Sequence, residues 1–247
     1  MQQNRKNKVK QCLTPLINFI FPPRCVFCRT LLSLSAAEMI CMDCENNLPY
    51  CLAGNRCDRC GKPLESGARL CGHCRSNPLP PYKKICSPYI YKDQVSRALV
   101  RFKRERYQSF AGVFARHMRV VVEHDCPNTA FDYVLSVPPR PERMRKEGYD
   151  QAERLARALA KELGVPYLSG AMRQRENRRK QSGLNYEARQ RNTQGNFEVR
   201  KGKILLGRTV LLVDDICTTR ATLKECAGVL RTAGAAAVYC ATAATTV

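Results

Sequence analysis

Acidic side chains are scarce in this sequence. Against 42 Lys and Arg stand 21 Asp and Glu, so the 247 residues carry a formal charge of +21. An excess of that size excludes a near-neutral surface and predicts polyanionic partners: nucleic acid, polyphosphate ligands or acidic membrane. Long hydrophobic runs are missing too. The short one from Leu16 to Phe21 is broken by Asn18, preceded by Pro15 and followed by Pro22 and Pro23 where a leader would have small residues. It reads as an amphipathic helix packing on the protein, not as a secretory leader, and no later run is long enough to span a membrane. Residues 25–74 have few large apolar side chains, so a conventional core is not expected there.

Cysteine is what that region has instead. Of 15 cysteines, eight fall in four Cys-x-x-Cys pairs, the spacing of metal knuckles, which points to a reducing cytoplasm and away from a disulfide framework. Two such turns complete one tetrahedral zinc site, with no open position for catalysis. Cys25, Cys28, Cys41 and Cys44 form one candidate tetrad, and Cys57, Cys60, Cys71 and Cys74 the other. Local pairing into two ribbons is the simplest assignment, and interleaved tetrads would satisfy the same count. Gly61 and Gly72 follow knuckle cysteines and suit tight turns, while Cys51 and His73 read as bystanders.

A Pro-rich break at Asn77 to Tyr82 divides the chain into a basic segment (1–24), a double ribbon (25–76) and a larger domain (82–247). The ribbons and the larger domain are expected to have separate cores, so that losing Cys57 would unfold the ribbons alone. In the larger domain, helical patterns (Val95 to Arg106, Gln108 to Glu123, Gln151 to Leu163, Thr222 to Thr232) alternate with strand patterns (Phe131 to Val137, Thr209 to Val213, Ala236 to Ala243). That alternation predicts an α/β fold with a parallel sheet and flanking helices. Arg173 to Arg191 is highly basic and weakly patterned, which reads as a loop leading into a short helix.

The most informative segment is VLLVDDICTTRATL, Val210 to Leu223. Its aliphatic run predicts a buried strand whose carboxyl end delivers Asp214 and Asp215 into the crevice where open α/β sheets bind ligands. Adjacent acids there suit the vicinal hydroxyls of a ribose. Thr218, Thr219 and Thr222 then line a loop feeding a helix amino terminus, where hydroxyls and free N–H groups can hold a phosphate dianion.

This segment resembles the ribose-5-phosphate signature of type I phosphoribosyltransferases. Together with Phe21-Pro22-Pro23-Arg24-Cys25, Val137-Pro138, Gly148-Tyr149-Asp150-Gln151-Ala152, and Gln181 through Leu184 and Arg189 to Asn192, it is similar to the ComF family over nearly the whole chain. The resemblance implies a site for phosphoribosyl pyrophosphate with magnesium. Asp214 and Asp215 would hold the ribose, with a catalytic role if transfer occurs. Cys217, Thr218, Thr219, Arg220, Ala221 and Thr222 would hold the 5-phosphate, and Arg140 and Arg143 the pyrophosphate. Two departures stand out: Arg220 takes the place of the family's usual glycine, and Glu147-Gly148-Tyr149-Asp150-Gln151 stands where Arg-Gly-Phe-Asn-Gln is usual.

Basic residues interleaved with Phe102, Tyr107 and Tyr186 suit a single-stranded backbone with bases stacked on rings. Arg175, Arg178, Arg179 and Lys180 are the candidate nucleic-acid contacts. ComF-type proteins are associated with single-stranded DNA import beside a helicase-like motor, which implies a cytoplasmic protein working at the inner face of the membrane. Three readings follow: a DNA-uptake component, an active phosphoribosyltransferase of nucleotide metabolism, and a phosphoribosyl pyrophosphate-sensing adaptor without turnover.

Overall fold

Four consecutive aliphatic residues, Val210 to Val213, suit a strand covered on both faces, and in the computed structural model they lie in the middle of a parallel sheet. The structure describes residues 22–34, 36, 38–51, 55–64, 67–104, 108–175 and 195–246. Its elements run α1 (Met42–Asn47), α2 (Gly72–Ser76), β1 (Ile85–Cys86), β2 (Tyr89–Ile90), α3 (Asp93–Arg104), α4 (Gln108–Asp125), β3 (Tyr133–Ser136), α5 (Pro141–Glu147), α6 (Gln151–Leu163), β4 (Met172–Gln174), β5 (Phe197–Val199), α7 (Gly202–Leu205), β6 (Thr209–Cys217), α8 (Ala221–Thr232) and β7 (Ala237–Thr245). The sheet order is β1-β7-β6-β3, with β2 also on β7 and every pairing parallel. β4 and β5 form a separate antiparallel pair. Among the described residues no helix is long and apolar enough to cross a membrane.

Side chains alternate across β6, as the period of two requires. Leu211 and Val213 enter a core built with Leu99 of α3, Phe114 of α4 and Leu155 of α6; Val210 and Leu212 enter a second core with Leu223, Cys226 and Leu230 of α8. The ribbons divide between these two cores. Val26, Phe27, Ile40 and Leu48 of the first ribbon lie in the α3, α4 and α6 core, whereas Cys57, Cys60, Cys71 and Cys74 of the second lie in the α8 core. Phe27 packs edge-on against both Tyr89 and Phe114, with ring centroids 5.6 Å apart in each pair. The expectation of separate cores is thus corrected. Large apolar residues are indeed few in the ribbons, but those present face the sheet.

Backbone joins the parts as well. The Ile85 N–H donates to the Arg59 carbonyl (2.9 Å) and the Cys51 N–H to the Pro88 carbonyl (2.7 Å), so ribbon backbone covers the β1 and β2 edge that would otherwise stand open. Arg101 donates to the carbonyls of Val26 and Phe27, 2.8 Å each. The segment between the tetrads is pinned by Arg56, whose guanidinium donates to both oxygens of Asp125 at 2.6 and 2.9 Å, with the Asp125 side chain almost wholly covered. Burial alone would raise the Asp125 pKa, but hydrogen bonds from Arg56 and His124 hold it below its ordinary value.

Each tetrad fits one zinc. Its four sulfurs lie within 4.8 Å of one another, and two measured pairs, Cys28–Cys41 at 3.5 Å and Cys60–Cys71 at 3.8 Å, approach the edge of about 3.8 Å that a tetrahedron of 2.3 Å bonds requires. The tetrads are local, not interleaved. Knuckle N–H groups point at sulfur, with Cys44 N–H on Cys41 Sγ and Cys74 N–H on Cys71 Sγ, both 3.4 Å. At Cys57 the hydrogen bond with the Cys60 thiol, with smaller help from backbone N–H groups, pulls the pKa down to about 4 against the effect of burial. The residue after each first knuckle turns left-handed, Arg29 at φ 73° and Gly61 at φ 66°. Only the second needs glycine, because a Cβ there would meet the Ile85 carbonyl oxygen at 2.7 Å. Gly72 proves different from expectation: it opens α2 with open space around it and no left-handed backbone.

Three boundaries also differ from the sequence reading. β6 continues through Asp214 and Asp215 to Cys217, held by pairing of Asp214, Ile216 and Cys217 with Thr242, Ala244 and Thr245 of β7. β7 likewise runs past Ala243 to Thr245 and lies inside the sheet. Arg173 belongs to a strand, paired with Glu198, and the expected N-terminal helix falls mostly outside the described residues.

Two outcomes follow. The chain should hold two zinc ions, counted by elemental analysis of purified protein, and Cys57→Ser should now lower the stability of the whole fold in one transition instead of releasing the ribbon alone. Asp125→Asn should cost about 3 kcal/mol at neutral pH, the scale of breaking a buried ion pair, read by urea denaturation. Because the folded carboxyl sits below its unfolded value of about 3.9, the contribution is present above that pH and disappears as pH falls through the lower folded value.

Candidate functional site

β3 and β6 are parallel neighbours, with Ser136 beside Val213, and the helices that follow them depart to opposite faces: α6 into the first core, α8 into the second. Such a reversal opens a crevice at the carboxyl edge of the sheet. Asp214 and Asp215 lie on this edge, both partly accessible. Each carboxylate turns back onto the chain, Asp214 Oδ1 accepting from the Asp215 N–H (2.8 Å) and Asp215 Oδ1 from the Ile216 N–H (2.7 Å). Lys103, in the last turn of α3, places Nζ 3.0 Å from Asp215 Oδ2. Burial, and then the charge of Asp215, push the Asp214 carboxyl well above the usual carboxylate range.

The next loop is braced from β7. The Thr246 N–H donates to the Cys217 carbonyl at 3.0 Å, the Thr245 hydroxyl to the same oxygen at 3.4 Å, and the Thr246 hydroxyl to the Thr218 carbonyl at 3.4 Å. Cys217 is buried, Thr218 and Thr219 are exposed, and Arg220, Ala221 and Thr222 are half-buried. Arg220 caps α8 at φ 63°, the conformation a glycine would take without strain; for a side chain it costs roughly 1 kcal/mol. The first-turn N–H groups of α8 have no partners within the helix and face this loop.

The segment after β3 lies alongside, its Val137 N–H bonded to the Val213 carbonyl at 2.8 Å. Arg140 is exposed at the N-cap of α5, and Arg143 falls within α5, its side chain outside the described part. Local structure explains the Gly-Tyr-Asp-Gln-Ala motif: Gly148 ends α5 at φ 68°, Tyr149 is buried and donates to the Phe102 carbonyl, and Asp150 caps α6 by accepting from the Ala152 N–H at 2.9 Å. Asp150 also lies within electrostatic reach of Asp214. It borders a cavity of about 630 Å³ between Pro138, Met144 and the β4–β5 pair.

The nucleic-acid residues divide. Arg175 is exposed beside that cavity and paired with Glu198 at 3.1 Å, while Arg178, Arg179 and Lys180 lie outside the described residues. Phe102 is fully buried between Phe110 and Phe114, so it cannot stack on a base, and among its described basic neighbours Arg97 and Arg104 are exposed while Arg101 and Lys103 are half-buried. Sequence reasoning also passed over Lys103. Its place after buried Phe102 reads as a solvated helix face, and nothing local announces an acid across the crevice.

Residues 16–86 match the double zinc ribbon domain and residues 146–246 the phosphoribosyl transferase domain. Competence protein F of Haemophilus influenzae is 29% identical over 89% of this chain and 95% of its own length. The DNA utilization protein YhgH of Escherichia coli is 29% identical over 74% and 80%, and competence protein ComFC of Bacillus subtilis 26% identical over 85% of each. Two closed cysteine tetrads ahead of a phosphoribosyltransferase-type sheet, with these competence and DNA utilization proteins aligned along most of the chain, place it among their homologues.

Proposed function

We propose that this chain binds phosphoribosyl pyrophosphate with magnesium, and single-stranded DNA, as a DNA-uptake component working beside a helicase-like motor. The observation that carries the ligand half is the juxtaposition at one sheet edge of an acid pair, a hydroxyl-bearing loop and a helix amino terminus, in the order ribose and then 5-phosphate demand. Asp214 and Asp215 accept from the ribose hydroxyls. Thr218, Thr219, Thr222 and the backbone from Cys217 through Arg220 and Ala221 hold the phosphate, and Arg140 and Arg143 are the residues assigned to neutralise the pyrophosphate. Lys103 holds Asp215 in place until the hydroxyls take over.

Magnesium fits as a passenger of the ligand. Among the described residues the two cysteine tetrads are the only clusters of three or more metal-binding side chains, and magnesium typically uses one or two carboxylates plus substrate phosphates. Bound there, it would neutralise pyrophosphate charge. A second reading, transfer to an acceptor, is favoured by the cavity beside Asp150, which is large enough for a small molecule. The names of the homologues and the charge of +21 support the DNA half, with Arg175, Arg178, Arg179 and Lys180 as its contacts.

Replacing both Asp214 and Asp215 by Asn removes charge-assisted acceptors each contributing about 1.5 to 3 kcal/mol, so calorimetric affinity for phosphoribosyl pyrophosphate should drop at least about tenfold with the fold intact. Since Asp214 titrates above the ordinary range and its ionised form accepts, wild-type affinity should climb as pH rises through that value, and Asp214→Asn should flatten this part of the profile. Pyrophosphate release with a panel of acceptors tests turnover. For DNA, log K should fall by about 0.7 per phosphate contact in log salt, and replacing Arg178, Arg179 and Lys180 by Ala should reduce that slope; an affinity indifferent to salt would dispose of the electrostatic reading.

A further inference from the structure

Not every cysteine belongs to a tetrad. Cys86 in β1 and Cys126 in the turn after α4 are both buried, and their sulfurs lie 3.7 Å apart although 40 residues separate them in the chain. Among the described residues no third His, Cys, Asp or Glu side chain completes a metal-binding cluster around them, so zinc does not account for the pair. Two sulfurs in contact are a small movement away from the bonded distance of about 2.05 Å. Cys86 is fixed in the sheet by its pairing with Ala241. Cys126 stands where the chain can yield: its N–H still bonds to the Val122 carbonyl at 2.9 Å, but Pro127, Asn128 and Ala130 beyond it are exposed.

The two sulfurs are also unlike. Cys126 borders a cavity of about 670 Å³ together with Val122, Phe131, Leu163 and Val165, and Cys86 takes no part in its wall. Lys84 and Arg56 bring cations to this corner through their ion pairs with Asp125, at 3.6 and 2.6 Å. The hydrogen bond with Cys86, helped by the charge of Lys84, lowers the Cys126 pKa against burial and the charge of Asp125; the same bond, together with burial, raises that of Cys86. A thiolate beside a cavity attacks, and a thiol behind it resolves.

We infer that Cys86 and Cys126 form a redox-active dithiol, a modification site separate from the zinc tetrads, at which a peroxide admitted by the cavity oxidises Cys126 and Cys86 converts the product into an intramolecular disulfide. In the first step the Cys126 thiolate attacks one peroxide oxygen, the O–O bond breaks, hydroxide departs and a sulfenic acid remains. In the second the Cys86 sulfur attacks the Cys126 sulfur, the S–O bond breaks, and hydroxide leaves as water with the Cys86 proton. Two electrons pass from the sulfur pair to the peroxide, so one hydrogen peroxide gives one disulfide and, with the proton first lost by Cys126, two waters. A dithiol reductant reverses the bond by exchange. The new bond would tie β1 to the end of α4 next to Asp125, whose hold on Arg56 pins the segment between the tetrads.

Peptide mapping of the zinc-loaded full chain tests this. Hydrogen peroxide is titrated upward until the first cysteines are oxidised, and the remaining thiols are then alkylated in denaturant before digestion. The Cys86 peptide should be found joined to the Cys126 peptide within one chain and should be freed by dithiothreitol. Cys86→Ser should abolish the cross-link and leave Cys126 as a sulfenic acid captured by dimedone, whereas Cys126→Ser should abolish both the cross-link and any dimedone capture. If a variant fails to fold, the wild-type map decides alone. Recovery of both residues as free thiols once other cysteines are oxidised, or as disulfides to other cysteines, would overturn the pair. Dimedone capture on Cys86 in Cys126→Ser, as fast as on Cys126 in Cys86→Ser, would overturn the choice of Cys126 as the attacking sulfur.

Discussion

Tetrahedral closure of four sulfurs is the constraint on which the rest of this structure depends. A segment with few large apolar residues cannot fix its own backbone through hydrophobic burial, and two local tetrads do that work by clamping pairs of knuckles. Once clamped, the ribbons need not hide their remaining apolar side chains from water among themselves. Phe27 and its neighbours are free to cover one face of the sheet, and the second ribbon covers part of the other. Ribbon backbone also closes the edge formed by β1 and β2. The metal modules are therefore part of the sheet's packing, not an appendage to it.

This arrangement brings charge to the functional edge from both faces. From the first core Lys103 reaches Asp215, and on the other side of the same edge Arg220 caps α8. Lys103 is thereby committed to a partner inside the protein, as are Arg101 on the first ribbon's carbonyls and Arg56 on Asp125. The large positive charge of the chain is consequently not all surface charge. Part of it neutralises carboxylates and carbonyls that the fold has drawn into partly dry places, and what remains exposed, such as Arg97, Arg104 and Arg140, is what a polyanion would meet.

The acid pair illustrates how environment divides chemically identical groups. Asp215 has a lysine at 3.0 Å, while Asp214 is enclosed and has Asp215 beside it. Burial and the neighbouring charge push the Asp214 carboxyl toward its neutral form.

Cys-x-x-Cys spacing, the aliphatic run of β6 and the helical periodicity of α6 determined their own local outcomes, because each depends on neighbours a few residues away: two thiolates across one turn, alternate faces of one strand, one apolar stripe. Sequence could therefore give the metal sites, the parallel sheet and the position of the acid pair at its edge. It could not extend β6 to Cys217, since aspartates disfavour strands and only pairing with Thr242, Ala244 and Thr245 overrides that preference. It could not distinguish Gly61, crowded by the Ile85 carbonyl, from Gly72, which is not crowded. Nor could it show Phe102 buried, Lys103 on Asp215 or Arg101 on the carbonyls of the first ribbon. Those are contacts between segments 75 and 112 residues apart, or choices between the two faces of one helix, and they exist only once the two ribbons and the helices have been packed on opposite sides of the same sheet.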